Sequence, residues 1–265
     1  MVETVTSLIP FKVLPLVLSK NKEFWEIYLK IDASSEAYRA IMKTLAALNL
    51  QLVHLDSNLS IENIVEVKGI LDPSKGETSP QALEIELDKI PGVIKIRVVK
   101  LPFKGLGFYV NFYPPLMGDV PMVILTSEFF ASIINEIKTR WGDAGAAIIY
   151  HIGELAGEKT YNSLSRLLGL KGFELAEVTF AMYRGYGLWR DYEMLDVDPL
   201  TKRAALKIYD SVECRYVHND KPNGHFIRGV ISGLFKGIMG RKLTTRETFC
   251  ISKGDPYCEF QVEPG

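Results

Sequence analysis

The composition of this 265-residue chain is that of a globular protein with almost no net charge. Its 31 basic and 32 acidic residues give a formal charge of −1, and 47% of its residues are hydrophobic. Such a balance excludes a global electrostatic attraction to nucleic acid, and no direct binding is evident. No window offers the ~18 consecutive apolar residues of a membrane-spanning helix. We expect a soluble, cytoplasmic protein long enough for two domains.

The first 101 residues predict an arm followed by a small α+β domain. Residues 1–20 combine aliphatic residues with Pro10 and Pro15, a pattern that favours an extended arm. Residues 21–101 then predict the order strand, helix, strand, strand, helix, strand, which is the ferredoxin-like arrangement. The predicted strands are residues 24–31, 50–55, 64–71 and 93–99. The predicted helices run from a cap at Ser34 or Ser35 to Leu48, and from a cap at Ser79 to Ile90.

The approach to the last of these strands, Ile90-Pro-Gly-Val-Ile-Lys-Ile96, resembles the ending that ACT domains share. ACT domains are small regulatory modules that often bind amino acids at a dimer interface. The resemblance therefore implies an ACT-like domain that binds an effector or mediates pairing.

Residues 102–122 predict a linker, because they contain seven prolines and glycines. The segment is also rich in phenylalanine and tyrosine, so we expect it to pack along the domain junction. The remaining domain, residues 123–265, begins with predicted helices. One is capped by Ser127 and runs to Lys138, a second covers residues 144–168, and a third covers residues 173–183.

Three cysteines are candidates for metal ligands in the C-terminal half. Cys250 and Cys258 flank a Gly-Asp-Pro turn, and Cys214 lies 36 residues before Cys250 in an alternating run over residues 206–216. An odd number of cysteines and the expected reducing compartment argue against disulfides. Zinc binds thiolate, imidazole and carboxylate ligands, and four protein ligands make a structural site. Each cysteine taken alone is also typical of a small buried hydrophobic residue.

The fourth ligand has several candidates. Glu247 lies three residues before Cys250, and His218 and His225 lie between Cys214 and Cys250. Any of these side chains would complete a tetrahedral zinc site with the three thiolates. The residue types leave the choice open.

Residues 226–240 predict a helix with an apolar face and a row of glycines beside it. Gly229, Gly233 and Gly237 recur every four residues, and each interior glycine costs about 1 kcal/mol relative to alanine. One explanation is close packing of the helix backbone against the sheet or a partner subunit. The other is room for a planar or hydrocarbon ligand. The aromatic candidates for walls of such a pocket are Phe180, Tyr183, Tyr186, Trp189 and Tyr192.

The pattern Gly229-x3-Gly233, followed by Glu247-x2-Cys250-x3-Gly254-x3-Cys258-x-Phe260, resembles the C-terminal signature of the 4-vinyl reductase domain family. Proteins of this family are also described as predicted hydrocarbon-binding proteins. They are similar to the sensor domains of phenol- and xylene-responsive activators and, more distantly, to subunits of the transport protein particle.

This resemblance implies a mixed domain with long helices against an antiparallel sheet, a buried small-molecule pocket and a tendency to form dimers. In the aromatic-sensing relatives, three cysteines and a glutamate bind zinc. Carried over by position, these ligands are Cys214, Glu247, Cys250 and Cys258. The resemblance thus favours Glu247 over the histidines.

Three functions are compatible with these features. The first is a regulator that senses an apolar or aromatic small molecule, with a structural zinc site and a homodimeric state. The second is an enzyme that reduces a vinyl group on a tetrapyrrole, as the family name suggests. No flavin or nicotinamide fingerprint and no catalytic constellation supports it. The third is a non-catalytic dimerisation scaffold, which needs no pocket.

Overall fold

The computed structural model describes residues 16–59, 62–117, 120–198, 201 and 203–265, apart from the side chain of Asp196. Most of the predicted N-terminal arm, residues 1–15, lies outside these ranges. Contacts between residues divide the chain after Met122 into two compact units. Each unit mixes helices with an antiparallel sheet, in agreement with the predicted α+β class.

The first unit contains two helices and eight strands in its described part. These are β1 (Val17–Leu18), β2 (Trp25–Asp32), α1 (Ala37–Ala47), β3 (Gln51–Leu59), β4 (Ile64–Asp72), α2 (Pro80–Asp88), β5 (Val93–Lys100), β6 (Leu106–Gly107), β7 (Leu116–Met117) and β8 (Val120–Pro121). The segment from β2 to β5 has the predicted order of strands and helices. Its four strands pair antiparallel in the spatial order β3-β4-β2-β5.

The helices α1 and α2 pack on one face of this sheet. Strand residues such as Ile27 and Leu29 and helix residues such as Ile41 and Leu83 form one buried core. Because side chains alternate along a strand, the polar residues of β2 and β5 lie on the other face. The ACT-like character of the unit stays a prediction.

The two predicted helix caps have different outcomes. The Ser79 hydroxyl accepts a hydrogen bond from the Ala82 amide at 3.1 Å, so Ser79 caps α2 as predicted. Helix α1 begins one residue later than expected, with Glu36 as its N-cap and no side-chain cap hydrogen bond. Ser34 instead donates to the carboxylate of Asp32 at 2.7 Å, which closes a turn before the helix.

The proline- and glycine-rich segment 102–117 folds onto the sheet of the first unit. Strand β6 pairs with β1, and the Tyr109 hydroxyl donates to Asp56 of β3 at 2.8 Å. The amides of Val110 and Asn111 donate to the buried carboxylate of Glu26 on β2. The boundaries 21–101 and 102–122, for a domain and a linker, remain predictions.

The second unit combines three helices with a four-stranded sheet. Its elements are α3 (Ser127–Leu168), α4 (Gly172–Gly185), β9 (Asp191–Asp198), β10 (Arg203–Tyr209), α5 (His225–Met239), β11 (Leu243–Phe249), a short 3₁₀ turn (Ile251–Lys253) and β12 (Cys258–Pro264). The strands pair antiparallel in the order β11-β12-β10-β9. Helix α5 covers one face of this sheet and shares its core, in which Ile227 and Ile231 join Leu206 and Phe260.

Helix α3 has a break where the sequence predicts two separate helices. Gly142 adopts φ 53° and ψ −131°, a backbone conformation that side-chain-bearing residues rarely adopt. The helix continues in a new direction from Asp143. Its N-cap is Thr126, whose hydroxyl accepts from the Phe129 amide, and not the predicted Ser127.

The glycine row of α5 faces the second part of α3. A β-carbon at Gly229 would lie 2.1 Å from the carbonyl oxygen of Tyr150, and one at Gly233 would lie 2.0 Å from that of Glu154. The contact is reciprocal, because Gly157 of α3 approaches the backbone of α5 equally closely. Close backbone packing therefore explains this row. The alternative, in which Gly229 and Gly233 leave room for a ligand, is wrong because α3 occupies that space.

The alternating run 206–216 is a strand only over its first part. Strand β10 ends at Tyr209, and Asp210 takes a left-handed φ of 56° that turns the chain away from the sheet. Cys214 therefore lies in the turn that follows and not on the strand, as its spacing from Leu206 and Ile208 had suggested. The turn nevertheless buries Cys214, which is 1% exposed.

Candidate metal centre and aromatic cluster

The four predicted metal ligands come together at one end of the second sheet. One donor atom from each of Cys214, Glu247, Cys250 and Cys258 lies within 4.8 Å of all the others. The Cys250 sulfur lies 3.6 Å from that of Cys214 and 3.9 Å from that of Cys258. All three cysteines are buried and free of disulfides. Three sulfurs and a carboxylate at these separations can converge on one tetrahedral cation.

Three segments supply these donors. Glu247 is on β11, Cys250 follows that strand directly, and Cys258 begins β12. The connection between the two strands is held by Asp255, whose carboxylate accepts from the Cys250 amide at 2.7 Å. This hydrogen bond closes the turn that brings Cys250 and Cys258 together.

The segment with Cys214 is fixed to the aromatic stretch that precedes the sheet. The Val212 amide donates to the carbonyl of Leu188 at 2.8 Å, and the Cys214 amide donates to the carbonyl of Ser211 at 3.1 Å. Leu188 is followed in the chain by Trp189. The turn that positions a candidate ligand is thus joined by backbone hydrogen bonding to the aromatic stretch.

Glu247 has the environment of a carboxylate that lacks a cation. One of its oxygens accepts from the Gly224 amide at 2.8 Å, whereas Oε1 is buried and has no hydrogen-bond partner among the described residues. A β-carbon at position 224 would lie 2.8 Å from that oxygen, so the glycine leaves room for it. Burial, together with the neighbouring Cys250 sulfur, raises the pKa of Glu247 to about 9. A bound dication would offset this burial cost.

Cys250 is the sulfur at the centre of the cluster. Hydrogen bonds from Cys214 and Cys258, opposed by burial, lower the pKa of the Cys250 thiol. The Asn223 amide donates to the same sulfur at 3.4 Å, and the Ser252 hydroxyl lies 3.0 Å from it. These contacts favour a thiolate, the form in which cysteine binds metals. The donor set and the orphan oxygen of Glu247 therefore fit a zinc ion.

The two histidines that the residue types left open do not belong to this group of four donors. His218 is exposed. His225 is half-buried, and its ring nitrogen Nδ1 lies 3.2 Å from the guanidinium of Arg228. Burial and then the charge of Arg228 lower the pKa of His225 to about 4. Among the described residues, Glu247 is the carboxylate that joins the three sulfurs.

A buried ion pair behind the cluster is a feature that the sequence analysis missed. Glu213 is completely buried, and its carboxylate accepts from Lys138 at 3.0 Å and from the amides of Phe226 and Ile227 at the start of α5. Burial raises the pKa of Glu213, whereas Lys138 and the helix amides oppose this shift. Glu213 precedes Cys214, so it fixes the candidate ligand relative to α3 and α5. A charged residue in an alternating run is normally exposed, so the sequence gives no signal for this role.

The predicted aromatic residues also come together, on the opposite side of the Leu188 connection. The rings of Phe180 and Trp189 are 5.2 Å apart, those of Phe180 and Tyr192 are 5.4 Å apart, and Tyr183 meets Trp189 edge to face at 5.5 Å. We refer to these four residues as the aromatic cluster. Tyr186, the fifth candidate, is 46% exposed.

The polar atoms of the aromatic cluster are unequally satisfied. The Tyr183 hydroxyl donates to Thr160 at 2.7 Å, and the Tyr192 hydroxyl donates to the carbonyl of Glu177 at 3.3 Å. Trp189 is 1% exposed, yet its indole Nε1 has no acceptor among the described residues. A buried indole N–H normally has a partner, so this one indicates a site for an acceptor atom.

Comparisons with known proteins agree with this architecture. Residues 204–264, which contain all four candidate ligands, match the model of the 4-vinyl reductase domain. Two uncharacterized proteins of Methanocaldococcus jannaschii are similar to parts of the chain. One is 32% identical over 101 residues, which cover 37% of this chain and 57% of that protein. The other is 39% identical over 59 residues, which cover 22% of this chain and 34% of that protein. The chain thus spans about half or less of these relatives.

A solved structure is similar in fold. It is the phenol-responsive sensory domain of the transcription activator PoxR with phenol, which has a TM-score of 0.50 and 18% identity. The similarity covers 56% of this chain and 79% of that domain. At this identity the match describes the fold alone. No helix in the described part of the chain combines the length and the hydropathy needed to cross a bilayer.

Proposed function

We propose that the second unit is a sensor of a small aromatic molecule, in which zinc has a structural role. The observation that carries the proposal is the unpartnered indole N–H of Trp189 within a buried aromatic cluster. Aromatic walls with one directed polar group are typical of sites for small apolar ligands. The phenol-responsive domain of similar fold supports this ligand class. A phenolic oxygen can accept from Trp189 and pack its ring against the other aromatic residues.

Zinc is proposed as the cation of the four-donor cluster because three thiolates and one carboxylate match its preferred ligands. Four protein ligands leave no open coordination position, which suits a structural role better than catalysis. Through the hydrogen bond between Val212 and Leu188, the cation would hold the turn of Cys214 against the aromatic stretch. We therefore expect ligand binding to depend on zinc. The free thiols also support a reducing, cytoplasmic location.

Metal analysis tests the first part of this proposal. Purified protein should contain about one zinc ion per chain, and binding should release protons because the thiols and Glu247 must lose theirs. Calorimetric titration of metal-free protein in buffers with different ionisation enthalpies measures this release. A protein that binds no zinc, or binds it without proton release, would contradict the assignment.

Trp189→Phe tests the ligand site because it removes the N–H and keeps an aromatic ring. Phenol should stabilise the wild-type protein against heat, and the variant should bind phenol about fivefold more weakly, as expected for one lost hydrogen bond. The matched control is Trp141→Phe, since Trp141 is 56% exposed on α3. Equal binding of phenol to all three proteins, or to none, would exclude this site.

A dimer is proposed on the basis of a second apolar surface of α3. Ile148, Ile152 and Leu155 recur at helical spacing and are each about half exposed, whereas the glycines of the same helix face α5. A second copy of the chain could cover this surface. The same surface supports the scaffold function, which requires pairing but no ligand.

Sedimentation measures the state of association. The wild-type protein should sediment as a dimer, and Ile152→Glu should give monomers because it places a charge in the proposed interface. Ile85→Glu on α2 of the first unit is the control, since Ile85 is 62% exposed. A monomeric wild type would rule out this interface, whereas a dimer that binds no phenol would favour the scaffold.

A further inference from the structure

The face of the first sheet opposite helices α1 and α2 carries a cleft of about 380 Å³. Its walls come from β2, from the edge strand β5 and from the segment that follows β6. The lining residues are Glu26, Tyr28, Lys95, Arg97, Val99, Asn111 and Phe112. This volume is within the range of about 300–1,000 Å³ that is usual for small-molecule sites.

Two positive charges in this cleft lack a negative partner. Lys95 and Arg97 alternate on β5, so both side chains are on the cleft side, and both are exposed. Neither has a carboxylate within ion-pair distance among the described residues. Lys95 is also directly opposite Lys30 of β2, and only Lys30 is neutralised, by Glu66 at 2.7 Å. Like charges at opposite positions destabilise a sheet, which indicates that the second cation is retained for another reason.

The opposite wall of the cleft is fixed in place by a buried carboxylate. Glu26 is 2% exposed and accepts from the amide of Val110 and from the side-chain amide of Asn111, the latter at 2.5 Å. These bonds place Phe112 against Tyr28, with ring centroids 6.1 Å apart. Because the negative charge of Glu26 is already bound by these N–H donors, it is not available to Lys95 or Arg97. The cleft thus combines a fixed aromatic wall with two free cations.

Protection of a sheet edge is the simplest alternative explanation for these cations. Charged side chains on an edge strand can prevent it from pairing with another chain. However, α2 lies along β5, and the carboxylate of Glu84 accepts from the Val98 amide at 2.6 Å. The edge is therefore partly covered already, and protection alone does not explain why the cations flank an aromatic wall.

We propose that this cleft binds a small aromatic carboxylate. Its acid group would pair with Arg97 and Lys95, since a guanidinium matches a carboxylate in geometry as well as in charge. Its ring would pack on Tyr28, Phe112 and Val99. This site is separate from the aromatic cluster and the metal centre, and it gives the first unit a ligand of opposite charge character to that of an uncharged phenol.

Calorimetric titration of the full chain with 2-naphthoate tests the proposal. The neutral analogue 2-naphthamide and the ring-free anions acetate and phosphate serve as comparison ligands. We expect 2-naphthoate to bind at least about tenfold more tightly than each of them, because one charge-assisted interaction is worth about that factor. Its affinity should fall as the salt concentration rises.

Two variants and one control locate the binding. Arg97→Gln should weaken 2-naphthoate binding about tenfold or more, and Phe112→Leu should weaken it while leaving acetate binding unchanged. Lys43→Gln on α1 removes one exposed charge outside the cleft and should have no effect. Because all three positions lack buried polar contacts, unchanged melting temperatures should verify folding.

Several results would overturn the proposal. Equal affinity for the acid and the amide would exclude recognition of the charge, and equal affinity for acetate would exclude recognition of the ring. No binding of 2-naphthoate, or binding that Arg97→Gln leaves unchanged, would leave edge protection as the role of these cations. Tighter binding of a single-stranded RNA oligonucleotide that also depends on Arg97 would identify a nucleic-acid face instead. Metal removal should not affect 2-naphthoate binding, which separates this test from that of the second unit.

Discussion

The two four-stranded sheets differ in what holds their ends together. In the first unit, β2 pairs along nearly its whole length with both β4 and β5, and an apolar core that includes Ile27 and Leu83 fills the space below it. In the second unit, β10 pairs with β12 only over Ala204–Ile208, and the sheet ends at a group of buried thiols and carboxylates. Apolar burial thus accounts for the first sheet, whereas the second needs a cation or protons to offset buried polar groups.

The largest test of this difference is loss of the cation. Cys250→Ser should unfold the second unit, because a structural zinc site contributes on the order of 10 kcal/mol to folding and Cys250 is the central sulfur. The first unit should remain folded. Hydrogen exchange of amides in β4 and β10 follows the two units within one sample, and zinc added after chelation should restore the protection of β10 in the wild type. Equal exchange of both strands in the variant and the wild type would mean that the two sheets are held in the same way.

Glu213→Gln should have the next largest effect. The change leaves Lys138 buried with no countercharge, and disruption of a buried pair costs about 3–5 kcal/mol. The control is Glu136→Gln, because Glu136 forms an exposed pair with Arg140 for which a change of about 0.5 kcal/mol or less is expected. Denaturant unfolding measures both free energies. If the two variants lost the same stability, the buried pair would not be part of what holds the second unit together.

Gly233→Ala tests the contact between α3 and α5, which has no counterpart in the described part of the first unit. The added methyl group would lie 2.0 Å from a backbone carbonyl, so the helices must separate. We expect a loss of about 2 kcal/mol from this overpacking, net of the gain in helix propensity. Gly185→Ala at the end of α4 meets no atom within 4 Å and should raise stability by about 0.5 kcal/mol. A stabilised Gly233→Ala variant would show that the contact between the helices is loose.

The comparison also explains how much of the structure the sequence predicts. Local alternation and capping signals predict the elements of the first unit, because each strand there continues as long as its pattern does. In the second unit the same pattern extends beyond Tyr209, although the left-handed Asp210 ends the strand. A turn can bury the same residues as a strand, so the pattern alone does not distinguish them.

The candidate site shows the same division between local and distant information. The donors were identifiable because cysteines are few and the spacing of the C-terminal residues resembles a known signature. The role of Glu213 depends on Lys138, which is 75 residues away, and no local signal connects them. The glycine row on α5 was visible, whereas its partner was not identified. Gly153 and Gly157 on α3, also four residues apart, were a readable sign of the helix that fills it.

The smallest predicted effect concerns a helix cap of the first unit. Ser79→Ala removes the acceptor for the Ala82 amide, which should lower the free energy of unfolding by about 1 kcal/mol. Ser34→Ala is the matched control, because the exposed Ser34 hydroxyl contacts only Asp32 and caps no helix. Since the first sheet depends on apolar burial and local caps, Ser79→Ala should act equally with and without zinc, as measured by exchange of β4 amides. A loss of stability that appeared only after metal removal would mean that the two units share their stabilisation and that the contrast between them does not hold.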